Sequence, residues 1–308
     1  MIVSLSTRWN AGRHERGETM LDEIRALGFT HVELGYDLTP NLVPGVQAEV
    51  KAGAIGVTSV HAYCPPPAGL PFASPEPFTL SSNDATIRAS AAHYLQNTIR
   101  FAAEVGAGVV VLHAGNVECR PLTPKLIELC GAGRQYDDEY EKVRMKMIVA
   151  REKAAPAQLA HLYAGLEKVL PLLEETGRVL ALELLPSWES IPTETELEKL
   201  LQHFNSPRIR AWHDLGHGQV RENLGLTNHV RWVKRLQPWL AGMHIHDVRP
   251  PASDHLMPPD GALDFQLFRE IGRGALIRVL EPAPRTPPET VAAGLAFLKN
   301  AWNLSEES

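Results

Sequence analysis

Short apolar runs alternate along the whole chain with longer stretches that have the spacing of amphipathic helices. Several of the runs are apolar at nearly every position, as at residues 109–112 and 179–182. Such runs are typical of strands that are buried on both faces, as in a parallel sheet. Eight strands are predicted, at residues 2–6, 31–35, 57–61, 109–114, 179–185, 210–214, 242–247 and 275–281.

Helical spacing fills the gaps between these runs. Stretches 19–27, 89–105 and 157–175 are each followed by a glycine within two residues, which suits a helix C-cap. Residues 193–196 read Thr-Glu-Thr-Glu, the pattern of a capping box at a helix start. Further helices are predicted at residues 228–240, 265–271 and 288–301.

Eight strand–helix units predict one α/β domain over residues 1–308, a closed (β/α)8 TIM barrel, with an open doubly wound sheet as the alternative. No Gly-x-Gly-x-x-Gly follows a strand, which disfavours a dinucleotide site. Two insertions, at 64–82 and 116–145, follow strand ends and should lie on the active-site face. Either insertion could form a substrate wall or lid, or be a loop without a role.

Composition narrows the classes of protein. The 308 residues are 44% hydrophobic, but no apolar run approaches the length of a membrane helix, and no signal peptide is recognisable. Three cysteines disfavour a disulfide framework and favour a reducing, cytoplasmic setting. The net charge of −6 and the lack of a basic stripe disfavour nucleic acid as a partner. An assembly of identical subunits is left open.

The candidate chemistry lies where the predicted strands end. The residues there, or just after, are His61, His113, Glu183, Asp214, His217, His244, His246, His255 and Glu281. In a closed barrel the carboxyl ends of all strands face one rim, so these side chains should converge. Glu183 is the clearest case, since leucines flank it on both sides and a buried carboxylate needs a partner or a cation.

Each of these residues also has a structural interpretation. A histidine at a strand end is more often a hydrogen-bonded packing residue than a metal ligand, and a buried glutamate can be half of an ion pair. A shared cation is favoured because at least six consecutive strands end in a residue that can bind a metal. His213 adjoins Asp214 on its strand, so it should point the other way and pack in the barrel wall. Oxygen and nitrogen ligands without thiolate suit Mn²⁺, Zn²⁺, Co²⁺ or Fe²⁺, and Mg²⁺ less well.

Several short motifs occur together and in order: Ser-Val-His-Ala (59–62), Leu-His-Ala-Gly (112–115), Leu-Glu-Leu-Leu-Pro (182–186), His-Asp-Leu-Gly-His (213–217) and His-Ile-His-Asp (244–247). Residues 255–265 follow a His-Leu-x-x-Gly-x-Gly-x-x-Asp-Phe pattern with Pro259 in place of the first glycine. From about residue 57 to 282 the chain resembles the xylose isomerase-like, or endonuclease IV-like, TIM barrel superfamily. That group includes sugar (phosphate) isomerases and epimerases as well as apurinic endonucleases.

The resemblance implies a metal site made of Glu183, Asp214, His244 and Glu281. In the nuclease branch, further metals are bound by His61 and His113 with Glu183, and by His217 and His255 with an aspartate. The aspartate of that branch falls near Ser253 in this chain, which is a departure from the pattern. Asp254 is adjacent but would need a shift in register. His246 faces the same side of its strand as His244 and could also reach the site.

The resulting hypothesis is isomerisation or epimerisation of a small sugar-like substrate, with Glu183 and Glu281 exchanging protons beside a metal-bound enediolate. His217 would hold a substrate hydroxyl, and Glu33 is either a further polar contact or part of a salt bridge. Phosphodiester hydrolysis at abasic DNA and sugar binding without turnover are the alternatives. Arg249 and Arg120 are candidates for a phosphate site, or solvated surface charges.

Overall fold

The barrel strands are short, and the chain runs through them in order. In a computed structural model that describes residues 1–70, 72–274 and 276–304, eight of the ten strands form a closed parallel barrel. The barrel strands are β1 (Ser4–Ser6), β2 (His31–Leu34), β3 (Gly56–His61), β4 (Val109–Leu112), β5 (Val179–Glu183), β6 (Ile209–Asp214), β7 (Leu240–Ile245) and β10 (Ile277–Leu280). The remaining two, β8 (Asp247–Arg249) and β9 (Ser253–Leu256), form an antiparallel hairpin after β7.

Each barrel strand pairs with its neighbour in the chain, and β10 closes the ring against β1, with Ser4 beside Val279. The predicted (β/α)8 barrel is therefore confirmed, and the open sheet is excluded. Several predicted strands extend one or two residues beyond the observed strand at one or both ends. Ala275, at the start of the last predicted strand, lies outside the described residues.

Helices surround the barrel and cover its outer face. They are α1 (Gly17–Ala26), α2 (Val43–Lys51), α3 (Ala85–Glu104), α4 (Thr123–Gly131), α5 (Asp138–Thr176), α6 (Glu194–Phe204), α7 (Leu215–Asn223), α8 (His229–Leu236), α9 (Arg269–Gly272) and α10 (Pro288–Trp302). The Thr193–Glu196 capping box opens α6 as predicted. None of these helices, in the parts of the chain that the structure describes, has the length and apolar character needed to cross a bilayer.

Four helices differ clearly from the sequence prediction. Helix α5 begins at Asp138 instead of residue 157 and continues through Pro156 and Pro171. Helix α4 occupies part of the 116–145 stretch, and α2 and α7 were not predicted at all. The side chain of Asp137 accepts the backbone N–H of Tyr140, and this N-cap explains where α5 starts.

An apolar layer fills the barrel and determines where the site lies. Its buried members include Val111, Ala181, Trp212 and Val279, which belong to one cluster inside the ring. Because side chains alternate along a strand, the residue two positions further on points to the same side. That residue is His113 after Val111, Glu183 after Ala181, Asp214 after Trp212 and Glu281 after Val279. The polar side chains therefore form the next layer, at the carboxyl end of the barrel.

Candidate metal centre

Three carboxylates converge on one imidazole at the carboxyl end of the barrel. His244 Nδ1 lies 3.1 Å from Glu183 Oε1, 3.3 Å from Glu281 Oε2 and 3.8 Å from Asp214 Oδ2. All four side chains are buried, with at most 3% of each side chain exposed. The structure thus brings together the four residues for which a shared site was expected.

Strong electrostatic coupling accompanies this convergence. Burial by itself would raise the pKa of Glu183, but the imidazoles of His244 and His113 hold that pKa well below its ordinary value. His244 and Arg8 likewise lower the pKa of Glu281 to about 2, against the effect of burial. Burial opposes a charged His244, yet the carboxylates of Glu281, Glu33 and Glu183 raise its pKa well above 6.5. The carboxylates are therefore ionised at neutral pH.

The donor set fits a divalent cation better than it fits a proton. His244 Nδ1 can carry only one hydrogen, but three carboxylate oxygens face it. Within Glu183, Asp214 and His244, one donor atom of each residue lies within 4.8 Å of the others, and the same holds for Glu33, His244 and Glu281. A divalent cation bound to three carboxylate oxygens and one nitrogen would offset two of the three negative charges.

Glu33 orients His244 from behind. Its Oε1 lies 2.9 Å from His244 Nε2, and its Oε2 accepts a hydrogen bond of 2.7 Å from Ser59 Oγ. Both residues are fully buried inside the barrel. Of the two interpretations that the sequence left open, the structure supports the buried ion pair. A carboxylate on the far nitrogen is the usual arrangement behind a metal-binding histidine, and it leaves Nδ1 for the cation.

Replacing Glu33 with glutamine should therefore weaken metal binding without dismantling the site. We expect Glu33→Gln to raise the dissociation constant for Mn²⁺ by about tenfold, because the amide no longer increases the basicity of His244. Calorimetric titration of the metal-free protein with Mn²⁺ measures this. An unchanged dissociation constant would show that Glu33 does not act on the metal through His244.

A second cluster of potential ligands adjoins Glu183 on the β3 and β4 side. Glu183 Oε2 lies 3.1 Å from His113 Nε2 and 3.3 Å from His61 Nε2. The three residues have donor atoms close enough to share one ion. Burial would lower the pKa of His113, but Glu183 and Glu76 raise it to about 9.

A third cluster consists of His217, His246 and His255, whose donor atoms also lie within 4.8 Å of one another. His246 Nε2 is 3.0 Å from an Asp214 carboxylate oxygen, and its Nδ1 accepts a hydrogen bond of 2.9 Å from the His255 backbone N–H. Ser253 is exposed on β9, and Asp254 pairs with His255 Nδ1 at 3.2 Å. The third residue of this cluster is thus a histidine, whereas the resemblance implied an aspartate.

His213 does not join the centre, as the strand alternation predicted. It is buried on the opposite face of β6, where its Nε2 lies 2.8 Å from Nε2 of His229. Burial lowers the pKa of His213 to about 4, so the ring is neutral at physiological pH.

Three residues near the centre were not predicted from the sequence. Arg8 Nη1 donates to Glu281 Oε1 at 3.1 Å, and its guanidinium stacks on the Tyr36 ring. Glu76, in the proline-rich insertion, has its Oε1 3.1 Å from His113 Nδ1. Asp247 accepts the backbone N–H groups of Gly261 and Leu263 and thereby fixes the loop after the hairpin. Of the three, Asp247 alone had a sequence signal, because it is the last residue of the His-Ile-His-Asp motif (244–247).

The comparisons with known proteins agree with this geometry. The family model described as xylose isomerase-like TIM barrel matches residues 21–301, and the chain belongs to this family. A protein of Sinorhizobium fredii, uncharacterized protein y4fM, is 26% identical over 279 residues, which cover 84% of this chain and 79% of that protein.

Similar solved structures include several that are named as sugar epimerases. L-ribulose 3-epimerase matches with a TM-score of 0.71 and 16% identity, over 98% of this chain and 94% of its own. The 3-keto-D-glucoside 4-epimerase of E. coli matches with a TM-score of 0.69 and 16% identity, over 97% of this chain and 99% of its own. A D-tagatose 3-epimerase-like protein matches with a TM-score of 0.69 and 17% identity, over 99% of this chain and 98% of its own. At these identities the likeness establishes the shared fold.

Proposed function

We propose that this protein is a divalent-metal-dependent epimerase or isomerase of a sugar or sugar phosphate. The observation that carries the proposal is the pair of buried carboxylates, Glu183 and Glu281, which approach the same nitrogen of His244 from different strands. Two ionised carboxylates that converge on one position can exchange protons with a substrate carbon bound beside them. The sugar epimerases among the structural neighbours support the same assignment.

Glu183, Asp214, His244 and Glu281 would hold the cation. When bound there, a divalent cation would stabilise negative charge on substrate oxygens and orient them. The surrounding barrel layer of Trp212 and its apolar neighbours excludes water from below the site.

The proton transfers would be carried out by the chain's own carboxylates. One of Glu183 and Glu281 takes the proton from the carbon beside the substrate carbonyl, and a carboxyl group returns a proton to the same or the neighbouring carbon. Return to the opposite face of the same carbon gives an epimer. Return to the former carbonyl carbon gives an isomer, with the hydroxyl proton of the first carbon passing to the former carbonyl oxygen. His217 borders the adjoining open cavity, where its imidazole would hold a substrate hydroxyl.

A solvent-exchange assay tests the proposal directly. The Mn²⁺-loaded protein is incubated in D₂O with D-tagatose, D-psicose, D-fructose or L-ribulose, and the sugars are followed by NMR and chromatography. We expect deuterium at a carbon beside the carbonyl, together with a new sugar, and we expect a chelator to stop both. Binding of all four sugars without exchange or product would favour a non-catalytic sugar-binding barrel.

Phosphodiester hydrolysis remains the second candidate because His61 and His113 extend the centre beyond one cation site. Such an enzyme would use clustered cations to clamp a phosphate. The third cluster consists of three histidines and no aspartate, which departs from that arrangement. Incubation of the Zn²⁺- or Mn²⁺-loaded protein with an abasic duplex tests this candidate. We expect no nicking, and efficient nicking without sugar exchange would reverse the assignment.

A further inference from the structure

A polar cavity opens beside the metal centre, and its wall has a distinctive composition. The cavity measures about 300 Å³, and its lining includes His113 and His217, which also contact Glu183 of the centre. Its polar wall consists of Ser74, Glu76, Asn116, Ser187 and Ser190. These side chains come from the proline-rich insertion and from the segments that follow β4 and β5. The wall therefore belongs to loops and not to the strands of the barrel.

Hydrogen bonds join these side chains into one surface. Glu76 Oε2 accepts a hydrogen bond of 2.8 Å from Asn116 Nδ2. Asn116 Oδ1 in turn accepts from Ser190 Oγ at 3.2 Å and Ser187 Oγ at 3.4 Å, and the two serine oxygens are 2.6 Å apart. Alternating donors and acceptors of this kind match the hydroxyl groups of a polyol.

Glu76 connects this wall to the centre. Its Oε1 lies 3.1 Å from His113 Nδ1, whose other nitrogen faces Glu183, and one quarter of the Glu76 side chain is exposed. A partly exposed carboxylate can accept a further hydrogen bond from a hydroxyl on the cavity side.

The charge of the wall discriminates between substrates. Among the described residues that line this cavity there is no lysine or arginine, and Glu76 is the carboxylate. Arg120 lines a separate surface groove, Arg249 donates to the Asp260 carbonyl, and Arg8 is bonded to Glu281. A phosphate group placed here would meet the like charge of Glu76, and His113, which also lines the cavity, already pairs with the carboxylates of Glu76 and Glu183.

We propose that this wall binds the hydroxyl groups of an unphosphorylated sugar, and that Glu76 both contacts a sugar hydroxyl and positions His113. The inference rests on the proposed epimerase or isomerase function and specifies its substrate class. The neutral donors and acceptors of Asn116, Ser187 and Ser190 form hydrogen bonds with the sugar hydroxyl groups. The Glu76 carboxylate repels the phosphate group of a sugar ester.

Matched pairs of substrates test the inference in the Mn²⁺-loaded protein: D-fructose with D-fructose 6-phosphate, and D-tagatose with D-tagatose 6-phosphate. We expect kcat/KM for the free sugar to exceed that for its ester by at least about 100-fold. Glu76→Gln should raise KM for the free sugar about tenfold with little change in kcat, and should narrow the preference over the ester about tenfold.

The control is Glu128→Gln, the same chemical change at an exposed glutamate on α4 that pairs with Lys125. It should leave KM and the preference unchanged. Asn116→Ala, a second variant in the wall, should also raise KM for the free sugar.

The outcomes separate this inference from the proposed function. Equal or faster turnover of the phosphate ester would overturn the unphosphorylated class and leave the epimerase or isomerase assignment standing. A preference for the free sugar that Glu76→Gln leaves untouched would overturn the role of Glu76. Absence of turnover with every member of both pairs would contradict the proposed function, and the inference with it.

Discussion

Glu183→Gln is expected to lower kcat by about 10³, because it removes the carboxylate that exchanges the substrate proton. Four imidazoles contact this carboxylate and hold it in place, those of His61, His113, His217 and His244. The glutamine is isosteric and the apolar layer beneath it is unchanged, so the barrel should remain folded. Solvent deuterium exchange at saturating Mn²⁺ measures the loss, and circular dichroism checks the fold.

A matched control is Glu198→Gln on α6. Glu198 is also a buried carboxylate, but it pairs with Arg235 on the outside of the barrel. This variant should keep its kcat even if it loses some stability. Normal exchange by Glu183→Gln at saturating metal would remove Glu183 from the proton-transfer step.

Asp214→Asn is expected to weaken binding of the cation by about 100-fold or more, because one of three anionic oxygens is lost from the proposed ligand set. Asp214 has a second role, since its Oδ1 accepts the backbone N–H of His217 and caps α7 at 2.7 Å. Asparagine is an equally good N-cap, so the helix should persist. Elemental analysis after dialysis should show about one metal per wild-type chain and much less in the variant.

The control for this variant is Asp84→Asn. Asp84 is the N-cap of α3, where it accepts the backbone N–H groups of Thr86 and Ile87, and it lies at the protein surface. The same substitution in the same capping role should leave metal content unchanged. Equal metal content in Asp214→Asn and wild type would exclude Asp214 as a ligand.

Strand alternation explains why much of the centre could be predicted from the sequence. Glu183 follows Ala181 by two residues and Asp214 follows Trp212 by two, so their inward direction is encoded in the strand itself. The same rule placed His213 in the wall. That the strand ends meet follows from closure of the barrel, and the sequence of a single strand does not encode it.

Helix α7 could not be predicted because its sequence contains two glycines. In the structure those glycines serve close packing: a Cβ at Gly216 would collide with the His246 ring, and one at Gly218 with the His229 ring. The helix therefore depends on tertiary contacts with histidines that are distant in sequence. Helix propensity alone predicts a loop for this segment.

Glu76 was missed for a different reason. It lies in a proline-rich stretch without periodicity, and its contact with His113 depends on the path of the loop over the barrel rim. Loop paths follow from many weak contacts and not from a repeating pattern. The role of Glu33 was also ambiguous, because the sequence pattern of a buried carboxylate is the same whether its side chain contacts a substrate or a histidine.

The most direct test of this account is anomalous diffraction from crystals of the Mn²⁺-loaded protein. We expect one strong peak at about 2.2 Å from oxygen or nitrogen atoms of Glu183, Asp214, His244 and Glu281 together. The account would be contradicted if the peak lay elsewhere in crystals of protein that turns over sugar, and if these four side chains were too far apart to share one ion.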